Sequence, residues 1–481
     1  MFRQLLLLSG LGAAICQPIQ DDGLVAHVND TKVSYPGQYL KPRVLVLTDI
    51  SPATHEPDDM ESMVHLLASA DLFEIEGLIA TTGWSIDYPD PLHPGLISDV
   101  IDRYRSDLPK LMKRSEQQAF EDDEVQQQIG YWPSPEYLEN VIRVGLPGRG
   151  MRWVGDNNAT NGSDWIIRTV DEEDDRPVWI TIWGGGNTLA QAIWDVKRTR
   201  SQEELDIFLS KIRVYAITDQ DNDGWDDMQS SAQLWIRKTF PDLFYISSEW
   251  GWIIYGTTIQ SQYWNSTYTS QIQGKGALGK HYPTYRYTVE GDTPSWLYLW
   301  PGMNDPEDPS QSSFGGCFGR TLTRDNVTKP YTDYESEARD CTNATIQRIM
   351  PDQVNDFVSR LDWAAEGTGN RNPRVVLEGD HGYAPVIVSG KPSSVVFLDA
   401  KGTHDPDRDS LSYEWYQDCG ATGCGAKVSI SGQGKKRVGV TIPKDAKGKE
   451  IHIILRVTDD GAPALSSYRR AIIKAGGYSE L

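Results

Sequence analysis

The chain has 481 residues, with 68 acidic against 46 basic side chains, a formal charge of -22 and 39% hydrophobic content. At roughly 100 to 200 residues per domain that length allows one large domain and a smaller one, and the apolar content excludes wholesale disorder. So acidic a chain repels nucleic acid and anionic lipid, which leaves neutral or cationic partners. With 16 Trp and 22 Tyr, whose flat apolar faces carry a polar edge, carbohydrate is the expected neutral class. Aromatics that simply fill a large core explain the same excess equally well.

Residues 1–16 run from Arg3 through the apolar stretch Leu5 to Ala14 and end at Ala14-Ile15-Cys16. This reads as a secretory signal peptide, with cleavage expected after Cys16 and a secreted, extracellular mature chain. No later segment supplies the roughly 18 unbroken apolar residues of a membrane span. The remaining cysteines, Cys317, Cys341, Cys419 and Cys424, are an even set suited to an oxidising compartment. Proximity favours Cys317 with Cys341 and Cys419 with Cys424, although four cysteines permit three pairings. Glycosylation sequons stand at Asn29, Asn158, Asn161, Asn265, Asn326 and Asn343.

From residue 17 to 365 short apolar runs alternate with amphipathic stretches. Arg43 to Thr48 is a strand buried on both faces, and Met60, Met63, Val64 and Leu67 form a helical stripe beginning beside Asp58-Asp59. Strands follow at Ile75 to Ala80, Val178 to Ile182 and Ile212 to Ile217, with a helix over Thr188 to Val196. This alternation predicts an α/β domain with an open, mostly parallel sheet, whose ligands bind at the carboxyl ends of its strands. Residues 366–373, rich in Gly, Asn and Pro, read as a linker. Over 374–481, β-rich runs at Val375 to Leu377, Ser394 to Leu398, Leu411 to Tyr416, Arg437 to Ile442 and His452 to Val457 predict an all-β, Ig-like or cadherin-like sandwich. Asp405-Pro406-Asp407-Arg408-Asp409 in that module reads as a solvated acidic turn, with calcium binding as the alternative.

Chemistry concentrates where the first strand ends. Asp49 closes that strand and Asp58-Asp59 opens the next helix, so their carboxylates can converge at one sheet edge. Unpaired carboxylates held together repel, whereas Ca2+ takes about six to eight oxygen ligands and uses carboxylates well. Calcium is the cofactor this pattern suggests. The competing reading is a helix N-terminus that merely welcomes acids. Asp219-Gln220-Asp221-Asn222-Asp223-Gly224 resembles an EF-hand loop but follows a strand, and Ser230 stands where a bidentate Glu is needed. Asp219 and Asp221 are instead placed at the rim of the site, with a solvated acidic turn as the alternative. Lone His65 on the first helix reads as structural.

Val44-Leu45-Val46-Leu47-Thr48-Asp49, Glu56-Pro57-Asp58-Asp59, Ile75 to Thr82 and Trp183-Gly184-Gly185-Gly186-Asn187-Thr188 together resemble the nucleoside hydrolase superfamily. With Asp219-Gln220-Asp221, Phe240 to Ile246 and Gly291-Asp292-Thr293-Pro294-Ser295, the chain resembles more closely a secreted, cellulose-binding, nucleoside-hydrolase-like branch with a C-terminal Ig-like module. The resemblance implies Asp49, Asp59, Asn187 and Asp292 as calcium ligands, Asn187 through its backbone carbonyl. It implies Asp49 also as the base that deprotonates water, and Asp58 as a catalytic partner bonded to sugar hydroxyls or that water.

Departures redirect the substrate. Trp84 stands where nucleoside enzymes read ribose with Asn, and Gly291 stands where purine-handling enzymes carry an acid His. Trp84 and Trp225 are therefore the expected sugar platforms, and a leaving-group acid is sought among His55, Glu56, Asp219 and Asp221. The expected function is calcium-dependent hydrolysis of glycosyl bonds in a polysaccharide such as plant cell-wall glucan. The alternative is a non-catalytic cellulose- or carbohydrate-binding protein with a hydrolase-like pocket; a true nucleoside N-ribohydrolase fits less well.

Overall fold

The computed structural model describes residues 39–84, 91–222 and 228–476. The first part of the chain contains β1 (Arg43–Thr48), α1 (Asp58–Ala68), β2 (Glu74–Ala80), α2 (Pro94–Ser115), α3 (Pro135–Asn140), β3 (Ile142–Val144), α4 (Asn161–Asp171), β4 (Val178–Ile182), α5 (Asn187–Thr199), α6 (Gln202–Ser210) and β5 (Ile212–Ile217). It continues through α7 (Ala232–Thr239), β6 (Phe244–Ser248), α8 (Gly251–Gln262), α9 (Gly276–His281), α10 (Thr293–Leu297), β7 (Gly319–Arg320), β8 (Tyr331–Thr332) and α11 (Ser336–Glu366). The sheet order is β3-β2-β1-β4-β5-β6-β8-β7, parallel except for the β7–β8 pair.

Every residue of β1 is buried, and its alternation feeds two cores. Val44 and Val46 pack on one face with residues of α1, α2 and α11, while Leu45 and Leu47 pack on the other with residues of α4 to α7. Covering a parallel sheet on both faces demands such unbroken apolar strands. Helix α1 is also buried almost all round: Glu61, Ser62 and His65 are inaccessible along with the Met and Leu stripe. The chain runs from β1 outward to β2 and β3, then returns to pair β4 on the other side of β1. The crevice between the ends of β1 and β4 is therefore the topological switch point, where open α/β sheets bind ligands.

The second part is all β, with β9 (Val386–Gly390), β10 (Val395–Asp399), β11 (Ser412–Asp418), β12 (Ser429–Ser431), β13 (Arg437–Thr441), β14 (Glu450–Thr458) and β15 (Ser466–Ala475). Sheets β10-β13-β12 and β11-β14-β15-β9 enclose a core that includes Leu398, Trp415, Val440, Leu455 and Ile473. Val375 to Leu377, expected as a strand, makes only isolated bridges, from Arg374 to His404 and from Leu377 to Asp380. The chain reverses at once through Glu378 and Gly379, both at positive φ, so no ladder extends, yet Val375 and Leu377 still fill the core.

The sandwich packs onto the α/β body within one compact unit. Ile454 and Tyr468 join the core of the α/β body, while Ile453 and Leu455 face the sandwich interior. Arg470, fully buried, donates to the carbonyls of Met303 and Ser312 and to the Asp418 carboxylate at 2.8 Å. Arg456 and Tyr468 converge on Asp352 of α11. Residues 366–373, read as a linker, are pinned: the Asn370 amide donates to Asp459, and its carbonyl accepts from Ser359 and from the Trp363 indole. Both disulfides form, Cys317–Cys341 and Cys419–Cys424, as proximity predicted. No helix among the described residues is long and apolar enough to cross a membrane.

Removing one partner of a buried ion pair leaves an uncompensated charge. Arg470→Met should therefore cost about 3–5 kcal/mol, read as a lowered denaturation midpoint. Arg348→Ala, which breaks the exposed pair with Glu414, should cost less than about 1 kcal/mol.

Candidate functional site

The ends of β1, β2 and β4 and the loop before α10 bring the acidic residues together. Asp58, Asp59 and Asp292 each offer a carboxylate oxygen within 4.8 Å of the others. Asp49 lies close enough that its charge, after burial itself, helps push the Asp59 and Asp292 carboxyls well above the ordinary range. Burial also raises Asp58 to about 6, opposed by the N–H groups of Asp58 and Asp59. Thr48 on β1 donates its hydroxyl to Asp59 and so fixes one oxygen.

Close packing around Asp49 needs glycine. A Cβ at Gly83 or Gly184 would collide with the Asp49 carboxylate, so these turns after β2 and β4 close on it only because neither bears a side chain. The loop between Asp49 and Asp58 lacks glycine but is compact, with His55 N–H donating to Pro52 O at 2.7 Å and the Ser51 hydroxyl to Glu56 O at 3.0 Å. Arg286 clamps it by donating to the carbonyls of Thr54 and His55. Glu56, half-buried on this loop, is pushed up to about 9 by burial and then by the charges of Asp58 and Asp49, against Arg286.

The site has the chemistry of a divalent-cation cradle. Asp58 Oδ1, Asp292 Oδ2 and Asn187 Oδ1 are buried with no hydrogen-bond partner among the described residues. Oxygens left unfilled among mutually repelling carboxylates fit a hard cation that takes oxygen ligands. Asn187 opens α5 directly after the Gly184–Gly186 turn and is fully buried, its amide donating to Gly148 O.

A model of the family described as cellulose-binding Sde182, nucleoside hydrolase-like domain matches residues 43–318, which span this entire arrangement. The chain belongs to this family. A second model, described as cellulose-binding protein Sde0182, C-terminal domain, matches residues 395–475 in the sandwich. A nucleoside hydrolase-related hypothetical protein from Saccharophagus degradans that is associated with carbohydrate metabolism is 36% identical, with a TM-score of 0.78 over 90% of this chain and 100% of that one. The PKD domain from KIAA 1837 protein is 17% identical over 24% of this chain and 97% of that domain, with a TM-score of 0.17. No curated protein matches the chain.

Within the family frame the remaining candidates separate. Trp84 follows Gly83 at the rim, half-buried, its N–H donating to the Gln220 side chain at 3.3 Å. Gln220 in turn donates to Trp183 O and so ties the ends of β2, β4 and β5 together. Its role was hidden between the more conspicuous Asp219 and Asp221. Asp219, expected at the rim, is corrected to a structural role. It is fully buried, accepts from the Ser231 hydroxyl at both oxygens and pairs with Arg237 at 3.0 Å, which holds the start of α7. Asp221 is also fully buried, accepting from Gly150 N–H at 2.7 Å, and is not a solvated turn residue. Trp225 and Asn29 lie outside the described residues, as do residues 1–16. Asn161, Asn265, Asn326 and Asn343 are exposed and Asn158 is half-buried.

Gly291 has a steric reason. A Cβ there would stand 2.8 Å from Asp58 Oδ2, so an acid side chain cannot occupy this place without moving Asp58. His65, behind the site, bonds Glu290 at 2.7 Å and stacks on Phe357, while Glu290 also accepts from Tyr282 and its N–H donates to Glu61. This buried network braces α1 against the loop that carries Asp292.

Calcium should raise the melting temperature of the wild type, by the equivalent of about 2.7 kcal/mol at a hundredfold excess over Kd. In Asp59→Asn and Asp292→Asn that shift should vanish, while stability in chelator should equal or exceed the wild type because a repelling charge is gone. Thermal melts with and without chelator check both.

Proposed function

We propose that the protein is a secreted, calcium-dependent hydrolase of glycosyl bonds that acts on polysaccharide such as plant cell-wall glucan. The observation that carries this reading is the convergence of Asp58, Asp59 and Asp292 beside Asp49 at the switch point of the sheet, with Asp58 Oδ1 and Asp292 Oδ2 buried and unfilled among the described residues. A buried carboxylate kept only for stability would be expected to have its charge matched, as Asp219 does with Arg237. The family's cellulose-binding description supports a carbohydrate partner. The paired cysteines suit the oxidising compartment that a signal peptide would reach.

Bound calcium would be held by Asp59, Asp292, Asp49 and Asn187 and would supply positive charge that favours ionised oxygen in the pocket. Asp49 takes a proton from the attacking water as its oxygen bonds to the anomeric carbon. Asp58 accepts hydrogen bonds from sugar hydroxyls, and the surrounding carboxylates favour the oxocarbenium-like character of the transition state. Trp84 offers its ring as a stacking face for a pyranose. As the bond from the anomeric carbon to the leaving oxygen breaks, that oxygen takes a proton from Glu56. Glu56 is chosen on position: it interacts with Asp49 and Asp58 from the rim, whereas Asp219 is committed to Arg237. A single displacement by water inverts the anomeric centre.

The second reading is a non-catalytic carbohydrate-binding protein, and the specific observation behind it is Gly291, where any side chain would have to displace Asp58. Product release from a panel of insoluble and soluble glucans separates the two. The hydrolase reading expects release that chelation abolishes, a loss of about 10²–10⁴-fold in Asp49→Asn and in Glu56→Gln, and unchanged pull-down of both variants with cellulose. No release by wild type from any substrate, with pull-down intact, would establish the binding reading.

A further inference from the structure

A cavity of about 570 Å³ lies away from the carboxylate cluster, at the seam between the α/β body and the sandwich. That volume is within the range of about 300–1,000 Å³ typical of small-molecule sites. Its walls come from both parts of the chain: Asp71 and Trp300 on the body, Tyr383 and Arg469 on the sandwich, with Arg371 and Arg374 where one passes into the other.

The charge of this lining runs against the chain as a whole, which carries -22. Arg114, Arg360, Arg371, Arg374 and Arg469 line it, with Asp71 as the carboxylate among them. Arg360 is matched by Asp71 and Asp356, and Arg469 by Asp380 at 2.8 Å. Arg114 and Arg371 share one carboxylate, Asp407, at 2.9 and 2.8 Å, and Arg371 also donates to Pro406 O and stands 3.7 Å from the exposed Glu116. Arg374 is exposed and has no ion pair among the described residues.

This charge balance points to what the cavity accepts. Arg114 and Arg371 divide one carboxylate between them, and Arg374 adds a cation with no ion pair among the described residues. A guanidinium fork is matched to carboxylate geometry, so an incompletely balanced set of them favours an anionic ligand. Aromatic groups supply the other half of a sugar site, through the half-buried Tyr383 and the exposed Tyr39; Trp300 and Trp363 are taken up by Arg360, whose guanidinium carbon lies 5.2 and 5.3 Å from their rings.

We propose that this seam cavity binds a carboxylated saccharide, a short oligomer containing uronic acid, with its carboxylate accepting from Arg374 beside Arg114 and Arg371, which share one carboxylate between them. The site is separate from the carboxylate pocket, which repels such a ligand, and it does not depend on the hydrolase reading. It gives the protein a second point of contact with a mixed polysaccharide that carries both neutral and acidic chains.

Calorimetry on the full-length protein tests this with trigalacturonate and, at equal chain length, cellotriose. Trigalacturonate should bind and quench tryptophan fluorescence, with an affinity that falls as salt is added and at least about tenfold in Arg374→Ser. Arg374 is exposed, so this variant keeps the fold; Tyr383→Ala should weaken binding as well. Asp59→Asn, which disables the other pocket, should leave trigalacturonate binding unchanged. Absence of binding, equal affinity for cellotriose, or full affinity in both Arg374→Ser and Tyr383→Ala would overturn the proposal. Loss of binding in Asp59→Asn alone would overturn it too, by moving the acidic sugar to the carboxylate pocket. Hydrolysis and cellulose pull-down are read independently, so failure there leaves this result standing.

Discussion

The mutual repulsion of Asp49, Asp58, Asp59 and Asp292 is the constraint around which the α/β body is arranged. Holding these groups together under burial pushes the Asp58, Asp59 and Asp292 carboxyls up and costs stability unless something opposes it. Rigid surroundings prevent the cluster from relaxing apart. Asp49 is locked at the end of a fully buried strand, Asp58 and Asp59 at the head of a helix buried on nearly every side, and Asp292 at the head of α10. Behind them His65, Glu290, Tyr282 and Glu61 form a hydrogen-bonded brace that keeps α1 and the Asp292 loop in register.

The same constraint explains where side chains are absent. Gly83 and Gly184 let two strand ends close on Asp49, and Gly291 leaves room for Asp58. Trp84 is presented beside them, half-buried, with its backbone tied to Gln220.

Buried charge recurs at the seam with the opposite sign. Arg470 and Arg456 reach carboxylates or carbonyls across the boundary between body and sandwich, and these pairs align two apolar faces that Ile454 and Tyr468 help to seal. Isolated buried ions are unfavourable, so each arginine specifies one docking geometry. Arg374 is the exception, exposed at the seam and without an ion pair among the described residues.

Sequence alone determined those features whose causes are local in the chain. The unbroken apolar run at Arg43 to Thr48 and the β-branched run at Ile212 to Ile217 could be buried only as strands, and their alternation with helical stripes required a parallel sheet whose carboxyl edge carried Asp49. Tertiary structure decided what depends on partners distant in sequence. Strand β15 lies beyond the runs read from the sequence and carries Arg469 and Arg470 in its middle, buried where Asp380 and Asp418 meet them. Asp219 looked available until Arg237, 18 residues on, folded back against it. The seam cavity exists in neither part alone, since a carboxylate or a guanidinium becomes structural or functional according to the charge that the fold brings to it.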